Sequence, residues 1–248
     1  MTRSAIDTGH SSRSMAAGYN GGSACLPGTN LYVIARTAQE SEDNAMKISV
    51  LGFGQVGSQL TRLWSAAGHS ISIGLRSGSK HEEAANHLKV QVLEPQQAAR
   101  SAETIVLALP WMAVEETLRS IGPLEGKILL DATNPLAADL SVLVPKAGSG
   151  GQQVAEWSPG AKVIKAFNTI GAACLGNPAF DMYYCSDDAE AAEITHKLIE
   201  DTTMRPENVG PLKNAGYLEQ LAGLWVDLAV NGRVQGAFGF NLVRGNDR

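Results

Sequence analysis

The run Lys47-Ile48-Ser49-Val50-Leu51 is short and apolar, and it breaks directly into Gly52-Phe53-Gly54-Gln55-Val56-Gly57, with glycines spaced G-x-G-x-x-G. The segment from Gln55 to Ala67 then reads as a helix, and Ser70-Ile71-Ser72-Ile73-Gly74-Leu75 as a second strand. That order leaves few folds open. The first glycine makes a tight turn, the second lets backbone approach an anion, and the third lets helix and strand pack closely, while helix N–H groups point at the pyrophosphate of a dinucleotide. A glycine motif alone is weak, because glycine-rich turns are common; the strand before it and the helix after it supply the context that makes this one specific. A purely structural βα turn is the alternative.

The end of the second strand selects the nucleotide. About twenty residues past the glycines, NAD-binding chains usually place an Asp or Glu for the ribose hydroxyls. Here the sequence is Gly74-Leu75-Arg76-Ser77-Gly78-Ser79-Lys80, with no acid. Arg76 offers a planar fork of donors suited to phosphate, Ser77 and Ser79 add hydroxyls, and Lys80 adds a point charge. These residues point to NADP rather than NAD, against the alternative of a solvated basic turn.

With 248 residues, 44% of them hydrophobic, the chain can bury a full core. Its formal charge of -5 and the lack of a dense Lys/Arg cluster argue against a nucleic-acid surface. Cys25, Cys174 and Cys185 are scattered and odd in number, so neither a disulfide framework nor a zinc site is indicated, and a reducing cytoplasm is expected. Apolar runs such as Thr104 to Pro110 fall far short of a membrane span. Residues 1–45 are rich in Ser, Gly, Ala and Asn and hold few large apolar residues, so a disordered N-terminal extension is expected. Met46 and Met15 are alternative starting points, and Glu40, Glu42 and Asp43 speak against an organellar transit peptide.

Beyond the second strand, His81 to Leu88 reads as a helix and Lys89 to Leu93 as a short strand. Thr104 to Leu109 and Lys127 to Ala132 are continuous apolar runs, as expected of strands covered on both faces of a parallel sheet. Pro110 is placed to stop the first of these and start a helix over Trp111 to Ser120. Strands at Val163–Phe167 and Met182–Ser186 and a helix over Ala189–Glu200 continue the alternation. Gly148 to Gly151 reads as a loop. The class is α/β: a Rossmann-type, doubly wound, mostly parallel sheet with a C-terminal helical extension. The expected division is an NADP-binding domain over residues 46–168 and a C-terminal α/β subdomain over 169–248. Its long helix, Tyr217 to Val230, carries an apolar stripe of Leu218, Leu221, Ala222, Trp225, Leu228 and Ala229. Packing on its own sheet, a homodimer interface and the wall of a substrate pocket are all compatible with it. Phe238 and Phe240, among glycines, are candidates to cover a planar ligand.

The glycine motif, the Arg76-Ser77 turn, Leu109-Pro110-Trp111, Asp131-Ala132-Thr133-Asn134-Pro135 and Lys165-Ala166-Phe167-Asn168-Thr169-Ile170 occur in order. With them the chain resembles the NADPH-dependent F420 (deazaflavin) oxidoreductase family, and it is similar also to the cytosolic reductase domain of the STEAP metalloreductases. The resemblance covers most of residues 46–248. It implies NADP(H) held at Gly52, Phe53, Gly54, Gln55, Val56, Gly57, Arg76, Ser77, Lys80, Leu109, Pro110, Trp111, Thr133 and Asn134. It also implies a flat flavin-like or deazaflavin partner stacked at the nicotinamide, near Trp111, Asn134 and Asn168. The same residues admit bland readings: Trp111 as a core aromatic, Asn134-Pro135 as a turn, Asn168 as a helix cap.

Hydride transfer between two rings depends on close, aligned approach, because the cofactor carries the chemistry. No catalytic acid or base stands out, and His10, His69, His81, His87 and His196 form no relay. No counterpart of the metalloreductases' membrane helices is present, so transfer to iron or copper is not implied. One rival reading is an imine or β-hydroxyacid reductase resembling pyrroline-5-carboxylate reductase, which would need a substantial helical domain after the Rossmann part. Another is a non-catalytic NADPH sensor.

Overall fold

The computed structural model describes residues 45–245. The expectations for the N-terminal extension, Ala45 apart, lie outside these residues, as do Cys25 and His10. Eight strands form one sheet in the order β3-β2-β1-β4-β5-β6-β7-β8. They are β1 (Lys47–Leu51), β2 (Ser70–Gly74), β3 (Gln91–Leu93), β4 (Thr104–Leu107), β5 (Ile128–Asp131), β6 (Lys162–Ala166), β7 (Asp181–Ser186) and β8 (Arg205–Asn208). Every neighbouring pair is parallel except β6 and β7. The helices are α1 (Gln55–Ala66), α2 (Glu82–Asn86), α3 (Pro95–Ser101), α4 (Val114–Ile121), α5 (Gly150–Trp157), α6 (Ala189–Glu200) and α7 (Ala215–Val230).

The alternation of side chains along each strand divides the core into two layers. Ile48, Val50, Val106, Leu130 and Ile164 pack against Leu60 and Trp64 of α1 and Leu198 and Ile199 of α6. On the opposite face, Leu51, Ile105, Leu107, Leu129 and Val163 meet α3, α4, α5 and α7 through Ala98, Leu118, Val154 and Leu218. Trp64, fully buried, donates its indole N–H to the carbonyl of Leu198 at 2.9 Å, which ties α1 to α6 across that layer. The order of strands reverses direction between β1 and β4, so a crevice opens at the carboxyl ends of those two strands, where open α/β sheets bind ligands.

Three elements depart from the sequence reading. Gly150 and Gly151 are the first turn of α5 and not loop, because Ser149 caps that helix and the carboxylate of Glu219 accepts both glycine N–H groups, at 2.8 and 2.9 Å. Helix α3 and strand β8 carried no usable apolar period: α3 is seven residues long, and β8 is Arg-Pro-Glu-Asn. Strand β8 holds its place by pairing with β7 and by the packing of α6, which is tertiary context overriding weak local propensity. Phe238, half-buried, stacks on Trp225, with centroids 4.9 Å apart, and its carbonyl accepts the Trp225 indole N–H. Among the described residues, no helix is long and apolar enough to cross a membrane.

Candidate cofactor and substrate site

The glycine turn departs from β1 with Gly52 at φ +100°, a conformation L side chains rarely adopt. A Cβ there would also lie 2.4 Å from the carbonyl oxygen of Ala108. A Cβ on Gly57 would lie 2.2 Å from the carbonyl oxygen of Gly52, so this residue lets α1 press against the turn. Gly54 is different. Its φ is ordinary and a Cβ there would meet nothing within 4 Å, so nothing in the packing demands glycine; the space in front of it is open. The first turn of α1 contains no acidic residue, and its orphan N–H groups face that opening with the positive end of the helix dipole.

A cavity of about 1060 Å³ runs from this turn across the ends of β1, β2 and β4. Of the site residues read from sequence, Gly52, Phe53, Gly54, Arg76, Ser77, Lys80, Leu109 and Pro110 line it. Arg76, Ser77 and Lys80 are exposed at its rim. The Phe53 side chain is itself buried among Ile73, Leu75 and Ala85 and sets the position of the turn's backbone. Gln55, Val56 and Gly57 stand in the first turn of α1, behind the opening. Sequence reasoning did not pick out Glu94, Pro95, Gln96, Glu116 and Thr117, which also line the cavity. They come from α3, unrecognised in sequence, and from the outer face of α4. The open cradle at Gly54, the helix N-terminus and the basic rim together fit a dinucleotide with an extra phosphate.

The other expected residues lie outside the cavity lining. Trp111 begins a short 3-10 turn and packs on Trp157, with centroids 5.3 Å apart. Thr133, buried, donates both its backbone N–H (2.9 Å) and its hydroxyl (2.6 Å) to Oδ1 of Asp131. Asn134 and Asn168 form a reciprocal pair: Asn134 Nδ2 donates to the carbonyl of Asn168 and Asn168 Nδ2 donates to Asn134 Oδ1, each at 2.9 Å. Because a carbonyl fixes which end of Asn134 is the donor, Asn168 must present its own amide nitrogen. Its Oδ1 is left buried without a partner. Asn168 follows Phe167, a fully buried residue at φ +60°, a costly conformation for a bulky side chain and one that concentrates at functional sites.

Beneath this pair lies a buried charge network. The ammonium of Lys165, fully buried, is 2.9 Å from Asp131 Oδ2 and 3.0 Å from Glu219 Oε1, and it donates to the carbonyl of Thr133 at 2.6 Å. Burial disfavours the charged lysine, but the carboxylates of Asp131 and Glu219 outweigh it and hold the ammonium above the ordinary lysine range. Beside it, burial pushes the Cys185 thiol up to about 12, which makes it a poor nucleophile. Two of the histidines serve structure. His69 accepts the Met46 N–H at 3.1 Å and lies 3.0 Å from Asp201, and His196 contacts the Tyr184 hydroxyl.

This fold and this cavity define a dinucleotide-binding Rossmann protein. The family described as NADP oxidoreductase, coenzyme F420-dependent, matches residues 47–135. The F420-dependent NADP reductase of Methanothermobacter marburgensis is 31% identical over 215 residues, covering 77% of this chain and 96% of that protein. The chain belongs to the F420-dependent NADP reductase family of NADP-dependent oxidoreductases. Metalloreductase STEAP3 of Rattus norvegicus is 26% identical over 73% of this chain, but over only 37% of its own length. Among solved structures, a candidate F420-dependent NADP reductase from Arthrobacter sp. FB24 superposes with a TM-score of 0.72 at 26% identity, covering 81% of this chain and all of that one.

Proposed function

We propose that the protein transfers hydride between NADP(H) and a deazaflavin or flavin-like acceptor, at the carboxyl ends of β1, β4, β5 and β6. The observation that carries this reading is the open cradle at Gly54, continuous with the basic loop at Arg76 in one cavity. NADPH, when bound, supplies the hydride itself. The chain's residues bind and orient. Gly52, Phe53, Gly54 and the α1 amides of Gln55, Val56 and Gly57 receive the pyrophosphate, and Arg76, Ser77 and Lys80 receive the 2′-phosphate. Leu109 and Pro110 flank the path toward the reacting ring. Thr133 and the Asn134–Asn168 pair form the polar floor at the ends of β5 and β6, held from below by Lys165. Trp111, in the 3-10 turn that leads into α4, is a wall for the acceptor.

The expected partner is a small molecule rather than nucleic acid, as the net charge of -5 favours, and the expected setting is the cytoplasm. A homodimer would use the exposed part of α7, where Tyr217 and Leu224 remain uncovered. The imine-reductase reading is the second one, and the acceptor that the protein turns over separates it from the first.

Oxidation of NADPH against a panel of coenzyme F420, FMN, FAD and cyclic imines tests the proposal. Turnover with a ring acceptor and none with imines is expected. Turnover confined to imines would replace the reading, and binding of NADPH without turnover on any acceptor would favour the sensor.

A further inference from the structure

We infer that Glu94 competes from within the protein for the anion site at Ser77, and so limits how strongly NADPH is preferred over NADH. The inference rests on the reading of the Arg76–Lys80 loop as the 2′-phosphate site. Glu94 occupies the N-cap position of α3, where a carboxylate ordinarily accepts a first-turn N–H of its own helix. It makes no such bond. Its Oε1 instead accepts the backbone N–H of Ser77 at 3.1 Å, across the gap between the ends of β3 and β2.

The placement is built into the backbone. The N–H of Leu75 bonds the carbonyl of Leu93 at 2.9 Å, so Glu94 follows directly on the last rung between the two strands. Pro95, whose ring fixes its own φ, begins α3. Gly74 lets that backbone come close, since a Cβ there would lie 3.2 Å from Pro95 Cα. Glu94 therefore stands beside the basic loop by construction, and it lines the same cavity as Arg76, Ser77, Ser79, Lys80, His81 and Glu116.

A carboxylate and a phosphate are both acceptors and carry the same sign of charge. NADPH must take the Ser77 amide from Glu94 and then sit next to it, whereas the 2′-hydroxyl of NADH is a donor that a carboxylate accepts. Glu94 thus weakens one cofactor and assists the other.

Dissociation constants of the full chain for NADPH and NADH, measured for wild type, Glu94→Gln and Arg76→Ala at low and high salt, test this. Glutamine keeps an acceptor for the Ser77 amide and removes only the charge. NADPH binding should tighten roughly three- to tenfold in Glu94→Gln, as expected for two partly solvated like charges a few ångströms apart. NADH binding should weaken, and the NADPH gain should shrink at high salt. Unchanged or weaker NADPH binding in this variant overturns the inference, as does an equal gain for both cofactors, which would place the charge effect at the shared pyrophosphate. A wild type without NADPH preference, unaffected by Arg76→Ala, would instead remove the phosphate reading and the inference with it.

Discussion

The ammonium of Lys165 lies 3.0 Å from Oε1 of Glu219, which joins the last strand of the parallel run to the last helix. Glu219 also accepts the Gly150 and Gly151 N–H groups at the start of α5, so one carboxylate holds a helix N-terminus and a lysine at once. Two acids face one base here. The partial positive charge of the α5 N-terminus offsets the excess. The third partner of Lys165, the Thr133 carbonyl, connects this network to the floor of the proposed site.

Replacing Lys165 with Met should therefore destabilise the protein by about 3–5 kcal/mol, because it leaves Asp131 and Glu219 buried without their cation. The pH dependence has a definite sign. Since the folded state raises the lysine above its unfolded value of about 10.4, its contribution is fully present below that value and is lost as pH rises through the folded value. Urea denaturation followed from neutral pH to ~11 should show wild-type stability falling at the alkaline end and a flatter curve in the variant. A variant as stable as wild type would show that the network contributes nothing net.

The Rossmann core was legible because its signals are local. Glycines that break an apolar strand, continuous apolar runs and a basic turn after β2 each lie within a few consecutive residues. The charge network was not read from the sequence: Asp131 and Lys165 stood there only within two separate motifs, and they face one another only once β5 and β6 pair in register. Glu219 is far from both in sequence, and only tertiary packing brings it to them. Glu94 was invisible for a related reason. Its role depends on β3 lying beside β2, which no run of consecutive residues shows.

Two glycines of the turn, Gly54 and Gly57, should separate by experiment. Gly54→Val should abolish NADPH binding and leave the unfolding transition nearly unchanged, since its Cβ meets no protein atom within 4 Å and would project into the opening. Gly57→Ala should cost stability, by about 1–3 kcal/mol, because its Cβ would lie 2.2 Å from the Gly52 carbonyl oxygen. Calorimetry for stability and titration for binding read the two effects independently. Retained NADPH affinity in Gly54→Val would reduce the turn to a structural element.

Asn134 and Asn168 should behave as one unit. Asn134→Ala leaves both the side-chain amide N–H and the carbonyl of Asn168 without this partner, and Asn168→Ala, which keeps that carbonyl, leaves Asn134 Oδ1 without its donor, each at a cost of about 1–3 kcal/mol. The double variant should lose less than the sum of the two single losses, with a coupling of about 0.5–3 kcal/mol in a double-mutant cycle. If the pair also forms the floor for the reacting rings, both single variants should lower kcat more than they raise the KM for NADPH. Additive stability losses would show that the reciprocal hydrogen bonds carry no energy of their own.

Arg76 decides the choice of cofactor in the proposed reading. It is exposed at the cavity rim, and its guanidinium is free to meet a phosphate in a charge-assisted, bidentate geometry. Such bonds contribute about 1.5–3 kcal/mol each, so Arg76→Ala should weaken NADPH binding by roughly one to two orders of magnitude, at about 1.4 kcal/mol per tenfold. NADH has no phosphate at that position and should bind the variant as it binds wild type. The loss should also be smaller at high salt, since an exposed charge pair is screened. Dissociation constants for both cofactors at two salt concentrations provide the check. Equal losses for NADPH and NADH would mean that Arg76 supports the loop between β2 and α2 and does not read the phosphate, and NADP preference would then have to come from Ser77, Ser79 and Lys80 alone.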